Sequence, residues 1–532
     1  MSRPQAKQSP IDDHARRIAR AIAKGRPPPF SEELERYCET SPGEIFAAFA
    51  GAARHLPPAG NDEALGIAYL FLLQRLLEFL RYRTDRGYPD AAKLIDAFQG
   101  DVVARVESGE VDCNMLIFVG GALHQSKIAV SPELAATTAK HSLNQDESGA
   151  LPPDISAALG AILEACEGDP FLAVGSLLES GHALPAEARA AIADALAHGG
   201  RPDTRVLAVL SLLDADSTVR HAAVAALARI AGSLSPVDVR RLIAMRNWRP
   251  ESERAEVDTI IRAARAAGIE CAQWETGCIE AIVASAIDGS TAQGFLLVSP
   301  VGRKKRISSI LTKGGIADAW SGGPEPLRAI EAALADAGRS ADLLAVSRPY
   351  LDQTVAHHLA LSTEKGETPP FGLLQIAETI GGADWQPARM VFAETLARLM
   401  AEIPAAMCEP SAVTSVLRNS AQLAGLERIA ESWFEDDPEV AEVAKRARGR
   451  NRRQFATYLL QSVIARRRDG WANIILRTAL WMRETPQHDD LCWRELTIVA
   501  KALADGRDMT EIALMRNIAT RTVQVLGDID ER

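Results

Sequence analysis

The chain has 532 residues, enough for three or four domains at about 150 residues each. Apolar residues make up 47% and charged residues 24%, an ordinary globular composition, and an aromatic content of only 5% disfavours an all-β fold. Lys and Arg number 59 against 70 Asp and Glu, a net charge of −11 that excludes a protein whose whole surface wraps DNA or an anionic membrane.

No stretch approaches the roughly 20 apolar residues of a spanning helix. Gly66 to Gln74 runs into Arg75 and Glu78, and Cys113 to Ser126 is too short. The opening MSRPQAKQSPIDDHARR has no apolar core, so no secretory signal is expected. Seven cysteines are scattered without a CxxC, which indicates neither disulfides nor a thiolate zinc site and suits a cytoplasmic location. Cys271 and Cys278 flank Trp274 and are expected to be ordinary buried thiols.

Residues 1–150 read as an N-terminal helical region. Ser9-Pro10-Ile11-Asp12 and Ser41-Pro42-Gly43-Glu44 each offer a capping hydroxyl, a proline at the first helical position and an early carboxylate; Ser131-Pro132-Glu133 is a variant of the same signal. Ser235-Pro236-Val237-Asp238 repeats it further along. Gly87, Gly199-Gly200, Gly232 and Gly268 are the expected helix stops.

Residues 151–270 carry the clearest pattern. Val219, Ala223, Ala226, Leu227 and Ile230 lie on one helical face, after a shorter apolar helix over 204–213 and the breaker Asp214-Ala215-Asp216. Aligning Arg220 with Arg189 places Ala223 on Ile192 and Leu227 on Leu196; aligning it with Arg254 places them on Val257 and Ile261. Helix pairs repeating every 31 to 34 residues are the mark of an α-solenoid. The run Asp214-Ala215-Asp216-Ser217-Thr218-Val219-Arg220, followed by Ala222-Ala223 and Ala226-Leu227, resembles a HEAT repeat of the short bacterial kind. The resemblance implies an Asp–Arg ladder along the stack through Asp214 and Arg220.

Residues 271–323 break the helical pattern. Ile279 to Ile287, Gly294 to Val298 and Arg306 to Leu311 are predicted as three strands of an antiparallel meander, turning at Asp288-Gly289 and around Pro300 and Gly302, with Gly314-Gly315 and Ser321-Gly322-Gly323-Pro324 leading back to helices. Gly289 and Gly294 are spaced like a phosphate loop, but Phe295-Leu296 stands where Lys-Ser/Thr is required.

Residues 324–532 return to helical repeats. His357-His358 cannot share a metal from one helix face, and His488-Asp489-Asp490 is an incomplete ligand set. Two cationic clusters stand against the net charge: Arg303-Lys304-Lys305-Arg306, and the run Lys445, Arg446, Arg448, Arg450, Arg452, Arg453, Arg466, Arg467 and Arg468. They could meet a polyanion or a partner; the larger one could equally pair with Glu431, Glu435, Asp436, Asp437, Glu439 and Glu442 just upstream. Trp493 to Leu526 resembles a LuxR-type helix-turn-helix in Ala504-Asp505-Gly506, Glu511-Ile512-Ala513, Ile518 and Arg521-Thr522-Val523, but it has Arg516 and Asn517 at the turn. That resemblance would send the Thr522-Val523 helix into a major groove; a terminal capping helix pair is the other reading.

The expected fold is therefore an all-α, HEAT-like solenoid with a small antiparallel insertion. The expected function is a non-enzymatic cytoplasmic interaction protein or scaffold that holds a partner protein, with no catalytic residue, cofactor or metal site and no membrane. The alternative is a nucleic-acid-associated protein working through 445–468 or the C-terminal helices.

Overall fold

A computed structural model describes residues 10–24, 31–57, 59–60, 62–85, 88–143, 164, 166, 169–181, 186–199, 202–274, 277–340, 342–381, 385–423, 426–435, 437, 439–440, 442–443, 451–486 and 492–530. The chain forms two compact units, Met1–Leu207 and Ala208–Arg532. It is mostly helical and carries one five-stranded antiparallel sheet. No described helix is long and apolar enough to cross a membrane.

The first unit contains α1 (Pro10–Ile22), α2 (Glu32–Thr40), α3 (Ile45–His55), α4 (Glu63–Asp85), α5 (Pro89–Glu107), α6 (Met115–Gln125), α7 (Pro132–Leu143), α8 (Pro170–Gly181) and α9 (Ala186–His198). The 23-residue α4 is its spine. Leu72, Leu73, Leu76, Leu77 and Leu80 recur at helical spacing, and all are buried where α1, α2, α3, α5 and α6 converge on it. Tyr69 of α4 reaches Asp12 of α1 with its hydroxyl at 2.6 Å.

The second unit opens within α10 (Pro202–Leu210) and continues through α11 (Ser217–Arg229), α12 (Pro236–Arg246) and α13 (Arg254–Ala266). Of the expected helix-end signals, those at Ser235 and Gly268 are present, Ser41 makes no side-chain capping bond, and Ser9, Gly87 and Gly200 lie outside the described residues. Ser235 and Asp238 close a reciprocal capping box on α12. Gly268 follows α13 in the left-handed conformation, φ +83°, which only glycine adopts without strain. Val219, Ala223, Ala226 and Leu227 of α11 are buried, as are Val257, Ile260 and Ile261 of α13, so the aligned apolar faces do form core.

The sheet runs β1 (Ala281–Ser285), β2 (Gln293–Val301), β3 (Lys304–Thr312), β4 (Ile316–Ser321) and β5 (Leu343–Ala345), in the order β4-β3-β2-β1-β5. The three expected strands are β1 to β3, and two more extend the sheet. Gly314-Gly315 is a turn into β4 rather than an exit to helices, with Gly314 at φ +62°. After α14 (Leu327–Ser340) the chain returns as β5 beside β1. The β2–β3 hairpin turns tightly at Gly302-Arg303, with Gly302 at φ +59° as a primed turn requires. The β1–β2 connection is longer than an Asp-Gly dipeptide turn. Asp288 Oδ1 accepts N–H bonds from Ser290 and Ala292, and Thr291, not Gly289, takes the positive φ.

The remaining helices are α15 (Arg348–Glu364), α16 (Gly372–Thr379), α17 (Phe392–Ala401), α18 (Pro410–Asn419), α19 (Glu427–Glu431), α20 (Arg452–Ser462), α21 (Arg468–Arg483), α22 (Trp493–Ala504) and α23 (Ala513–Asp530). Phe295, Leu297 and Ile310 are buried on one face of the sheet. Two indoles fix that face to the helices: Trp481 donates to the Ala284 carbonyl at 3.2 Å, and Trp433 to that of Ile287 at 2.8 Å. On the edge strand β4, the Ala319 carbonyl lies so close to Gly372 that a Cβ there would sit 1.9 Å away. Only glycine lets α16 close this edge.

Candidate functional site

The Asp214–Arg220 ladder takes a different form from the one expected. The Arg220 side chain donates to the Asp214 and Ala215 carbonyls at 2.9 and 2.7 Å, and its carboxylate partner is Glu253, at 2.9 and 2.6 Å through Nε and Nη2. The reason is local. Asp214 Oδ1 accepts the Asp216 N–H at 2.8 Å, which holds its carboxylate in the turn and presents its carbonyl to Arg220. Arg249 joins from the other side, donating to Glu253 at 2.5 Å. All three charged side chains are buried. Burial alone would raise the Glu253 carboxyl, but the Arg220 hydrogen bond and the Arg249 charge outweigh it and hold the group below its ordinary value.

A second buried clamp follows. Glu378 of α16 receives Arg240 at 2.9 Å and a fork from Arg241 at 2.8 and 2.9 Å, while Arg240 lies 4.9 Å from the Trp274 ring centroid. It fastens α12 to α16 across 137 residues of chain. Cys271 and Cys278 lie in the extended connection between α13 and β1 and are exposed, which corrects the expectation of buried thiols.

The candidate contact cations scatter. Arg303 and Lys304 are exposed at the β2–β3 hairpin end, whereas Lys305 pairs with Glu280, and Arg306 is half-buried on β3. In the larger cluster, Lys445, Arg446, Arg448 and Arg450 lie outside the described residues. Arg452 and Arg453 open α20 and are exposed. Arg466 meets Glu439 at 2.6 Å, and Arg467 meets Glu435 and, at 3.8 Å, Asp437. Arg468 donates to the carbonyls of Leu503 and Arg507 at 3.3 and 2.6 Å. Arg466 to Arg468 are thus bound into the fold through the upstream acids and the end of α22.

The LuxR-type resemblance fails in three dimensions. After α22 and a short 3-10 turn at Met509–Glu511, α23 runs unbroken from Ala513 past Asn517, where that family turns. Arg516 and Asn517 face solvent, so nothing forces a break there. Thr522 and Val523 are buried instead of offered to a groove, and Thr522 Oγ1 accepts the Glu435 N–H at 2.9 Å.

Two clefts were not legible in the sequence. The first, about 400 Å³, lies between α17, α18 and α22. Its lining is apolar at Met400, Val413, Leu417, Ile498 and Ala502; Cys408, Asp505 and Arg507 are its exposed members, and Lys501 is half-buried. Lys501 pairs with Asp505 at 2.7 Å and Arg507 with Glu511 at 2.5 Å, all four side chains reaching solvent. The second, about 500 Å³, opens between the sheet, α14 and α19 and includes Ser309, Leu311, Asp342 and Glu431. Their linings come from helices and strands far apart in the chain, and no local motif marks them. The His357-His358 pair sits buried on α15: His357 Nδ1 accepts the Met390 N–H at 3.1 Å, and His358 Nε2 accepts from Arg477 at 2.9 Å.

Residues 185–268, which hold the Arg220 knot, match the family model of the Y4lR second domain. Residues 393–527, which hold the first cleft, match that of the Y4lR C-terminal helical domain. The two matches together span less than half of the chain. No curated protein and no solved structure matches the chain.

Proposed function

We propose that the chain is a non-enzymatic interaction protein of HEAT-like construction that holds a partner protein. The observation that carries this reading is the cleft between α17, α18 and α22, with its apolar residues flanked by exposed charged ones. An apolar lining flanked by polar residues is the anatomy of a groove that takes an amphipathic helix. The burial of one face each of α11 and α13 supports the stacked-pair construction. The ion pairs of Arg466 and Arg467 weigh against the nucleic-acid alternative, because cations already matched by carboxylates release few counterions from a phosphate backbone.

The test places an environment-sensitive fluorophore on Cys408, which is exposed in the cleft lining, in a chain whose two other exposed cysteines, Cys271 and Cys278, are changed to Ser. Amphipathic helical peptides from a display library are selected on the native protein. The expected result is a peptide that shifts the fluorophore and loses at least tenfold in affinity against Val413→Glu. Sub-micromolar, salt-sensitive binding of a generic duplex near physiological salt, lost when Arg452 and Arg453 are changed to Ala, would overturn the reading in favour of the alternative.

A further inference from the structure

Five described arginines are at least nine-tenths buried: Arg220, Arg240, Arg241, Arg249 and Arg477. The first four meet Glu253 or Glu378. Among the described residues Arg477 of α21 meets no carboxylate. Its one hydrogen bond runs from Nη2 to His358 Nε2 at 2.9 Å, and among the described residues Nε and Nη1 have no partner. An arginine only donates; His358 therefore accepts, and its ring is neutral. The Tyr350, Thr354 and His358 side chains lie one turn apart on the same face of α15. Thr354, 1% exposed, makes no well-formed hydrogen bond through Oγ1, which lies near the Tyr350 hydroxyl. Tyr350 donates its hydroxyl to Gln293 of β2 at 3.1 Å and packs 6.0 Å from the Phe295 ring, so the sheet roofs the seam.

A guanidinium only 8% exposed is costly unless a negative charge offsets it. The four other buried guanidiniums show how this chain does so with its own side chains, and at Arg477 no described residue provides one. We infer that Arg477 and Thr354 form a binding site for a small inorganic anion, of chloride size, held by the free guanidinium N–H groups and the Thr354 hydroxyl beneath Gln293 and Phe295. The burial of Arg477 and Thr354 favours a small ion over an organic acid, and a neutral rather than anionic partner at His358 leaves the positive charge available to it. The anion would stitch α15 and α21 to the sheet in the manner that Glu378 stitches α12 to α16.

The experiment compares thermal unfolding of the full chain in sodium chloride and sodium gluconate at one ionic strength, since gluconate is too bulky to enter. The expected result is a saturable rise of about 2–4 °C in melting temperature at chloride tenfold above half-saturation. The rise should be absent in Arg477→Met, and in Thr354→Val it should need several-fold more chloride. A crystal soaked in bromide should show an anomalous peak beside Arg477 Nε and Nη1. Equal melting in both salts, or an undiminished chloride response in Arg477→Met, overturns the site. Should Arg477→Met not fold, chlorine NMR of the unmodified protein decides: excess line broadening that a competing bromide removes supports the site, and its absence ends it.

Discussion

Two sets of arginine–carboxylate contacts in the second unit use the same chemistry in opposite surroundings. In the knot after α12, Arg220, Glu253 and Arg249 are almost wholly shielded from water. Just before α21, Arg466 meets Glu439 with both groups at the surface, while the exposed Arg467 reaches the surface Asp437 and the buried Glu435. The difference teaches that pairing alone says little. The buried set has given up hydration, so removing one member strands charges that water cannot reach. At the surface, solvent and salt replace whatever partner is lost.

Glu253→Gln tests the buried side of that comparison and should have the largest effect. Two cations, Arg220 and Arg249, would be left without a carboxylate, and unfolding stability should fall by about 3–5 kcal/mol. Chemical denaturation of the isolated chain measures it; a loss below about 1 kcal/mol would mean that water reaches the knot. Acid extends the test to buried groups held neutral. Burial, with Arg477 adding to it, lowers His357 to about 4 and His358 to about 2. Their folded values lie below the unfolded one, so the stability they contribute is complete above about pH 6.5 and is lost as pH falls toward 4. For His357 alone the loss between pH 7 and pH 5 should be about 2 kcal/mol, and His357→Gln should flatten that part of the pH profile. An unchanged slope would show that the imidazole is hydrated.

Asp216→Ala sits beside the knot but acts at its surface. Its carboxylate caps α11 through the Thr218 N–H at 2.7 Å, and its removal should cost about 1 kcal/mol, with the Arg220 contacts intact. Arg466→Ala should be the smallest change of all, with no shift in denaturation midpoint at physiological salt. A shift that vanished in high salt would show instead that the Glu439 pair belongs to an ordered network.

Much of this architecture was legible because it is local. The capping box at Ser235, the left-handed Gly268 and strands β1 to β3 each announce themselves within a few residues. The missing strands did not. In Ile316–Ser321 the double glycine ahead of the strand reads as an exit, and Leu343–Ala345 is too short for any alternation to appear. The repeat alignment found the correct arginine and the wrong acid, because Asp214 is adjacent in the turn while Glu253 arrives 33 residues later. Arg477 gives no signal in the sequence at all. It reads as one polar position in an apolar helix until folding brings His358, 119 residues away, to its side. The two clefts share that character, since their walls are assembled from segments with no pattern in common.

The return of β5 beside β1 has a mechanical meaning. Val283 lies opposite Ala345 and Ser285 opposite Leu343, and the Val346 N–H reaches the Ile282 carbonyl at 3.0 Å. The chain thus enters and leaves the sheet through neighbouring strands at the same end of the pair. A pull on the two flanking segments loads those bonds one after another, as a zip is opened, and does not shear them together. A pull applied to those flanks in a single-molecule experiment should therefore open this three-residue pair before the longer β2–β3 ladder.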